Sequence, residues 1–351
     1  MEAKKVNAYG AIAQTQPLQK MSINRRTVQP HDVEFEILYC GICHSDLHAV
    51  HNDWGSTTYP IVPGHEIIGK VTAIGNHVTK FKINDIVGVG CIVDSCGHCE
   101  YCQDNKEQSC EEGMTLSFND VDKVSGGLTY GGFSKTYVCN ENYVLHIPNF
   151  SKLAPVAPLL CAGITVYSPL KHWGAGKGKK VGILGIGGLG HLAIKIAKAM
   201  GAEVTVFTTS PSKIEDAKKL GADNAVLASD ITQIENYKGK LHFIIDTISA
   251  KHDVNTYLNL LKVDGSLVLV GLPNEPLEVG AFNVVNGRKS FSGSNIGGIV
   301  ETQEMLDFCF EHNITAESEI INIQDVNTAF ERLEKGDVKY RFVVDMTSLE
   351  N

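Results

Sequence analysis

The sequence predicts an α/β chain in two parts, a doubly wound parallel sheet and a β-rich part that precedes and follows it. Three observations carry this expectation. Through the middle of the chain, short buried apolar runs alternate with helical stretches, the pattern of parallel βαβ units. Before that stretch, up to about residue 150, the apolar runs are short and are cut by Gly and Pro as strands are, and after it mixed segments return. With 351 residues, 43% of them hydrophobic and 20% charged, the chain is long enough for about two domains and can bury a substantial core.

Up to about residue 150 the strands are expected at runs such as Val33-Glu34-Phe35-Glu36-Ile37-Leu38 and Ile67-Ile68-Gly69-Lys70-Val71. From about Ala154 the texture changes. Val181–Leu184 reads as a buried strand, Leu189 to Met200 as a helix and Val204–Phe207 as a second strand. Ile214 to Leu220 reads as a helix, and Ala225–Leu227, Phe243–Asp246 and Ser266–Val270 as further strands. After about Arg288 mixed segments return and end in the strand-like Arg341–Asp345. No repeat of fixed period and no low-complexity tract interrupts the pattern.

A net charge of -9 repels phosphate backbones, which argues against nucleic acid and anionic membrane surfaces as partners. No apolar run approaches the roughly 18 residues that span a bilayer, and Met1 to Asn7 holds no apolar signal segment, so the expected location is the cytoplasm. Thiols stay reduced there, so the ten cysteines point to metal or catalytic use before disulfides.

Gly185-Ile186-Gly187-Gly188-Leu189-Gly190 matches G-x-G-x-x-G and stands between an expected strand and an expected helix, the setting that makes this pattern a Rossmann fingerprint. Gly185 permits the tight turn, Gly187 lets backbone approach a pyrophosphate, and Gly190 allows close packing; free N–H groups of the helix N-terminus then face the phosphates. About 20 residues on, an NAD site carries a carboxylate for the adenosine ribose. This chain has Thr208-Thr209-Ser210-Pro211-Ser212-Lys213 there, which offers hydroxyls and a cation to a 2′-phosphate and points to NADP(H). The other reading of Lys213 is a solvated helix residue.

Cys96-x2-Cys99-x2-Cys102-x7-Cys110 supplies four thiolates from one loop, a closed tetrahedral set suited to structural zinc. An iron–sulfur cluster and a chance group of buried cysteines are the alternatives. Asp94, Glu100, Asp104 and Glu107 mark the loop as solvated, whereas Cys40, Cys91, Cys139 and Cys309 lie outside any such spacing and read as small core hydrophobes.

Cys43 in Gly41-Ile42-Cys43-His44-Ser45-Asp46, His65 and Glu66 in Pro63-Gly64-His65-Glu66-Ile67-Ile68-Gly69, and Cys161 in Leu159-Leu160-Cys161-Ala162-Gly163 are individually weak signals. Taken with the four-cysteine loop and Gly185 to Gly190, their order resembles the zinc-containing medium-chain alcohol dehydrogenases, most of all the cinnamyl alcohol dehydrogenase branch. The resemblance runs along essentially the whole chain, through Tyr130-Gly131-Gly132-Phe133-Ser134 to Tyr340–Asp345.

That resemblance implies a GroES-like catalytic domain formed by residues 1–153 and 289–351, a nucleotide-binding domain at 154–288, and an active site in the cleft between them. It implies two zinc ions per chain. The catalytic one would be held by Cys43, His65 and Cys161, with Glu66 as a transient ligand and Asp46 orienting a ligand. Ser45 would take the alcohol proton and His48 pass it outward, although an exposed structural histidine is the other reading of His48. His44, Thr165, Gly188, Leu189, Ser292 and Ser294 would line the cofactor, and Trp54, Cys91 and Leu116 the substrate. The chain departs from the plant monolignol enzymes at Leu116, where they carry Trp, and this favours a broad aldehyde reductase. A small-molecule alcohol or aldehyde is the expected substrate, and a homodimer the expected assembly. An NAD-linked polyol dehydrogenase and a non-catalytic zinc-binding module are the competing readings, and metal content per chain separates the second from the enzyme.

Overall fold

A computed structural model describes residues 3–350; Met1 and Glu2, part of the N-terminal stretch read above, lie outside the described residues. The chain divides into two compact units. One contains the described residues up to Cys161, Gly297–Glu311 and Thr315 onward, and the other contains Ala162–Ile296 with His312–Ile314.

In the first unit β1 (Ala3–Gly10) and β2 (Gln19–Arg26) form an antiparallel hairpin. The central strand is β3 (Asp32–Ile42), with Val33, Phe35, Ile37, Cys40 and Ile42 at most 1% exposed. It pairs antiparallel with β4 (Ile67–Ile74), which pairs with β5 (Ile86–Val89). The expected strand at Val33–Leu38 is thus longer at its C-terminal end, and the added residues lead directly into Cys43. A loop-bearing pair, β6 (Ile92–Asp94) and β7 (Thr115–Leu116), carries the four cysteines between its strands. Then β8 (Thr136–Asn140) returns to β3, and β9 (Leu145–His146) to β5.

The second unit is built on one parallel sheet. Its strands are β10 (Lys180–Leu184), β11 (Glu203–Thr208), β12 (Asn224–Leu227), β13 (Leu241–Asp246), β14 (Leu261–Leu269) and β15 (Ser290–Gly293), in the spatial order β12-β11-β10-β13-β14-β15. Helices Gly190–Ala199 and Ser212–Lys219 follow β10 and β11 close to their expected bounds. The runs are apolar because both faces are covered: Val181, Ile183, Val204, Val206, Ile244, Ile245, Leu267 and Val268 are all fully buried. Each such side chain contributes about 1.5–3 kcal/mol of burial. The reversal of strand order between β10 and β13 is the place where this architecture takes ligands.

Two differences from expectation have physical causes. β14 begins at Leu261, five residues before the expected Ser266, because Leu261 pairs with Leu241 across a register shift. The exposed turn-forming Asp264, at φ 63, hides that continuity in the sequence. Helix Ala162–His172 buries residues all round, from Ala162 to Leu170, so it shows no amphipathic stripe, and Pro169 further obscures it.

The first unit is completed by β16 (Ser318–Asn322) and β17 (Arg341–Asp345), which extend the main sheet to the order β16-β17-β3-β4-β5-β9. β17 runs antiparallel to β3, with Val343 opposite Gly41 and Phe342 opposite Ile42. Among the described residues no helix is long and apolar enough to cross a membrane.

Candidate active site

Four side chains from three elements converge in the β-rich unit. Cys43 follows β3 and caps helix His44–His51, His65 and Glu66 immediately precede β4, and Cys161 ends the 3-10 helix Ala154–Leu160. Each brings one ligand atom to within 4.8 Å of the others. Asp46, with no exposure, fixes the geometry: Oδ2 accepts the Cys43 N–H at 2.9 Å, and Oδ1 accepts the Gly64 N–H at 2.8 Å. Oδ1 also faces His65 Nδ1 at 2.9 Å, so that nitrogen carries the proton and Nε2 is left as the ligand atom. The Phe118 ring stacks on His65 at 5.7 Å between centroids.

Glu66 is completely buried, and burial raises its carboxyl to about 7 in spite of the Arg341 guanidinium bonded to Oε1. Its other oxygen, Oε2, has no partner. Gly41 is required here, because a Cβ at that position would stand 1.8 Å from Glu66 Oε2. Two thiols and one imidazole nitrogen make a set that suits zinc with one position open, and the carboxylate with a free buried oxygen stands beside them.

The four-cysteine loop forms a second such group, with Cys96, Cys99, Cys102 and Cys110 likewise within 4.8 Å of one another. Sulfurs bound to zinc at about 2.3 Å stand about 3.8 Å apart at tetrahedral angles. Cys96 Sγ and Cys102 Sγ are separated by 3.8 Å. Backbone amides point at the sulfurs, from Cys99 to Cys96 Sγ at 3.3 Å, from Cys96 to Cys110 Sγ at 3.4 Å and from Cys102 to Cys99 Sγ at 3.5 Å. Such donors lower the Cys99 thiol to about 6, while burial raises Cys102 to about 11, a cost that a bound cation offsets. The loop is not solvated throughout, contrary to expectation at Glu107. This side chain is half-buried, and its Oε2 accepts the Ile299 N–H at 3.0 Å, capping helix Ile299–Glu311.

Helix His44–His51 carries Ser45 and His48, the two residues expected to move the proton. Ser45 Oγ is 3.7 Å from Cys43 Sγ, and His48 Nδ1 lies 2.7 Å from Asp53 Oδ2, with the Trp54 ring 5.4 Å away. His44 is exposed, 6.3 Å from His48 between ring centroids. Trp54 and Leu116 are exposed at 49% and 38%. Cys91 is half-buried, with its thiol hydrogen-bonded to Cys161, which corrects its reading as a plain core hydrophobe.

In the nucleotide-type unit the three glycines differ as the fingerprint requires. Gly185 has φ +85, a Cβ on Gly190 would meet the Gly185 oxygen at 2.2 Å, and Gly187 has nothing within 4 Å of the place a Cβ would occupy. Gly188 and Leu189 are half-buried beside them. Lys213 Nζ donates to the Ile186 carbonyl at 2.9 Å, which ties it to the glycine loop instead of leaving it a purely solvated helix residue. Thr208 is buried and its Oγ1 accepts the Ser210 N–H at 3.3 Å; Ser210 Oγ and Ser212 Oγ are 2.9 Å apart, and Thr209 is exposed. Thr165 is buried in helix Ala162–His172, Ser292 lies in β15, and the Ser294 N–H donates to the Leu269 carbonyl at 3.1 Å.

Sequence reasoning missed Asp53, Arg341 and Gly41. Asp53 follows a left-handed helix cap at Asn52, and Arg341 reaches Glu66 only through the β17–β3 register; neither carries a local signal.

Comparison with known proteins shows the family to which the chain belongs. A family model described as zinc-binding dehydrogenase matches residues 188–311, and one described as alcohol dehydrogenase GroES-like domain matches residues 29–149. The chain is 52% identical over 347 residues to NADP-dependent alcohol dehydrogenase C 1 of Mycolicibacterium smegmatis, covering 99% of both chains. It is 54% identical over 334 residues to mannitol dehydrogenase of Petroselinum crispum, covering 94% of this chain and 98% of that one. Among solved structures it is similar to a cinnamyl alcohol dehydrogenase from Sorghum bicolor, with a TM-score of 0.96 and 44% identity over 99% of this chain and 100% of the other. With relatives of that identity matched end to end, the chain belongs to the zinc-binding medium-chain alcohol dehydrogenases.

Proposed function

We propose that the protein interconverts small primary alcohols and aldehydes with NADP(H), using one catalytic and one structural zinc ion per chain. The observation that carries this reading is the convergence of Cys43, His65, Glu66 and Cys161 around the buried Asp46. Zinc held there supplies Lewis acidity to the substrate oxygen, and NADP(H) supplies or accepts the hydride. Cys43, His65 and Cys161 hold the metal, and Asp46 keeps the His65 ring turned so that Nε2 faces it. Arg341 restrains Glu66 through Oε1, which leaves Oε2 within reach as an alternative ligand when the fourth position is empty. Ser45 Oγ takes the alcohol proton, and His48 passes it to solvent, its Nδ1 anchored on Asp53 so that Nε2 is the exchanging atom.

On the cofactor, Gly187 gives the pyrophosphate access to backbone, and Gly185, Gly188, Leu189 and Gly190 form the rest of the turn. Thr208 orders the strand end, while Thr209, Ser210 and Lys213 offer donors to a 2′-phosphate. His44, Thr165, Ser292 and Ser294 complete the cofactor surface. Trp54, Cys91 and Leu116 border the substrate, and the aliphatic Leu116 suits a broad range of aldehydes. Similarity to a mannitol dehydrogenase supports polyols as a second substrate class.

A homodimer is supported by the open edge of β15 and by exposed apolar side chains in the same unit, notably Phe282 at 79%, Val285 at 71% and Val263 at 66%. A reducing, cytoplasmic setting is supported by ten free cysteines. The test is a steady-state panel of alcohols, aldehydes and polyols with both cofactors. A kcat/KM ratio favouring NADP(H), lowered by Lys213→Ala by about 1–3 kcal/mol in transition-state terms, is expected. A tenfold preference for NAD(H), about 1.4 kcal/mol, overturns the cofactor assignment.

A further inference from the structure

A cavity of about 810 Å³ opens in the β-rich unit between the β1–β2 hairpin, β8 and the turn at residues 122–130. None of the clustered metal-ligating cysteines or histidines lines it. Its walls carry four cations, Lys5, Arg25, Arg26 and Lys123, against two carboxylates, Asp94 and Asp122. In a chain of net charge -9 such an excess is local and specific.

The two acids are already engaged. Asp122 Oδ1 accepts the Val124 N–H at 2.9 Å and Oδ2 the Ser125 hydroxyl at 2.7 Å, and Asp94 Oδ1 accepts the Ser95 N–H at 2.8 Å. Arg25 is 8% exposed and rests on the Tyr137 ring at 4.3 Å. Its hydrogen bonds run to the Thr136 and Gly131 carbonyls at 2.6 and 3.0 Å and to Ser134 Oγ at 2.7 Å, all uncharged acceptors. Burial, with the neighbouring Arg26 cation, lowers the guanidinium to about 10 although Asp122 pulls the other way. The Arg26 side chain, 10% exposed, gives Nη2 to Asp32 at 2.8 Å, but its buried Nε has no partner. Buried cations ordinarily have both paired charge and full hydrogen bonding; Arg25 has hydrogen bonds to uncharged acceptors only, and Arg26, paired with Asp32 and 4.0 Å from Asp122 Oδ2, leaves Nε without a partner.

We propose that this cavity binds a small organic phosphate of sugar-phosphate size, at a site separate from the zinc cluster and the glycine loop. Guanidinium groups match phosphate oxygens in geometry and charge. The volume lies in the range of small-molecule pockets and exceeds what inorganic phosphate fills. Serine, threonine, asparagine and tyrosine side chains around the remaining wall suit sugar hydroxyls.

Calorimetric titration of the zinc-loaded protein, saturated with NADP(H) to close the dinucleotide site, tests this with ribose 5-phosphate as probe. Ribose 5-phosphate should bind, with ribose and inorganic phosphate each at least about tenfold weaker. Arg26→Gln should abolish binding. Because Arg26 also pairs with Asp32, the exposed double variant K5Q/K123Q serves as a second measure and should weaken binding several-fold while leaving folding intact. Absence of heat up to about 1 mM probe overturns the proposal. So does binding that neither variant changes, or ribose or inorganic phosphate binding as tightly as the sugar phosphate.

Discussion

At the scale of single residues, the proposed catalytic zinc site depends on a few side chains whose neighbours hold them in place. Cys161→Ser removes one thiolate from the end of helix Ala154–Leu160 without touching the packed sheet. The variant should fold, carry about one zinc in place of two, and lose turnover; retained turnover in a folded variant contradicts the ligand assignment. Asp46 acts one step further out. It is buried and bonded to Cys43, Gly64 and His65, so Asp46→Asn should keep the ligands but cost about 10–100-fold in metal affinity or activity. Zinc titration against a competing chelator reads the first effect and initial rates the second.

At the scale of elements, the glycine loop separates folding from binding. Gly190→Ala drives a Cβ onto the Gly185 carbonyl at 2.2 Å, so the turn between β10 and its helix must shift and stability should fall by about 1–3 kcal/mol. Gly187→Ala meets nothing within 4 Å, so the melting temperature should hold while NADP(H) affinity drops; an unchanged dissociation constant places the pyrophosphate elsewhere. β13 ends in a pH-sensitive pair: Asp246 Oδ2 lies 2.7 Å from His252 Nε2 and, with no exposure of its own, raises the histidine above its ordinary value. Asp253 adds to the same pull. A raised folded-state pKa means the stabilisation is complete below about 6.5 and fades as pH climbs through the folded value. His252→Gln should therefore destabilise more at about pH 6 than at about pH 9 in urea unfolding, and equal losses at both contradict the pairing.

These elements also show what was legible beforehand. The strands of the parallel sheet announced themselves because burial on both faces demands unbroken apolar runs, as in Val181–Leu184. Helix Ala162–His172 did not, since a helix buried all round has no polar face to set a period. The four-cysteine loop was legible because its ligands are local. Cys43, His65 and Cys161 come from separate elements, and only resemblance joined them before the sheet did. Arg341 and Asp53 had no signal at all, one depending on strand register and the other on the exit from a helix.

At the scale of the whole molecule, the four-cysteine loop is a stability device on the proposed assignment. Cys99→Ser should lower Tm by more than about 2 °C, roughly 1–2 kcal/mol at this size, before it alters kcat; calorimetry with zinc analysis checks it, and an unchanged Tm with unchanged zinc content contradicts it. The reach of that loop is set by Glu107. Its carboxylate closes the first turn of a helix 192 residues further along the chain, and Gly298 is so close to the Asn105 carbonyl that a Cβ would stand 2.0 Å away. Zinc starvation of the producing cells would therefore leave its mark remotely. The Ile299 amide, shielded by a side chain that only an ordered loop presents, should exchange its proton faster in protein from depleted medium, and restoring the metal should slow it again.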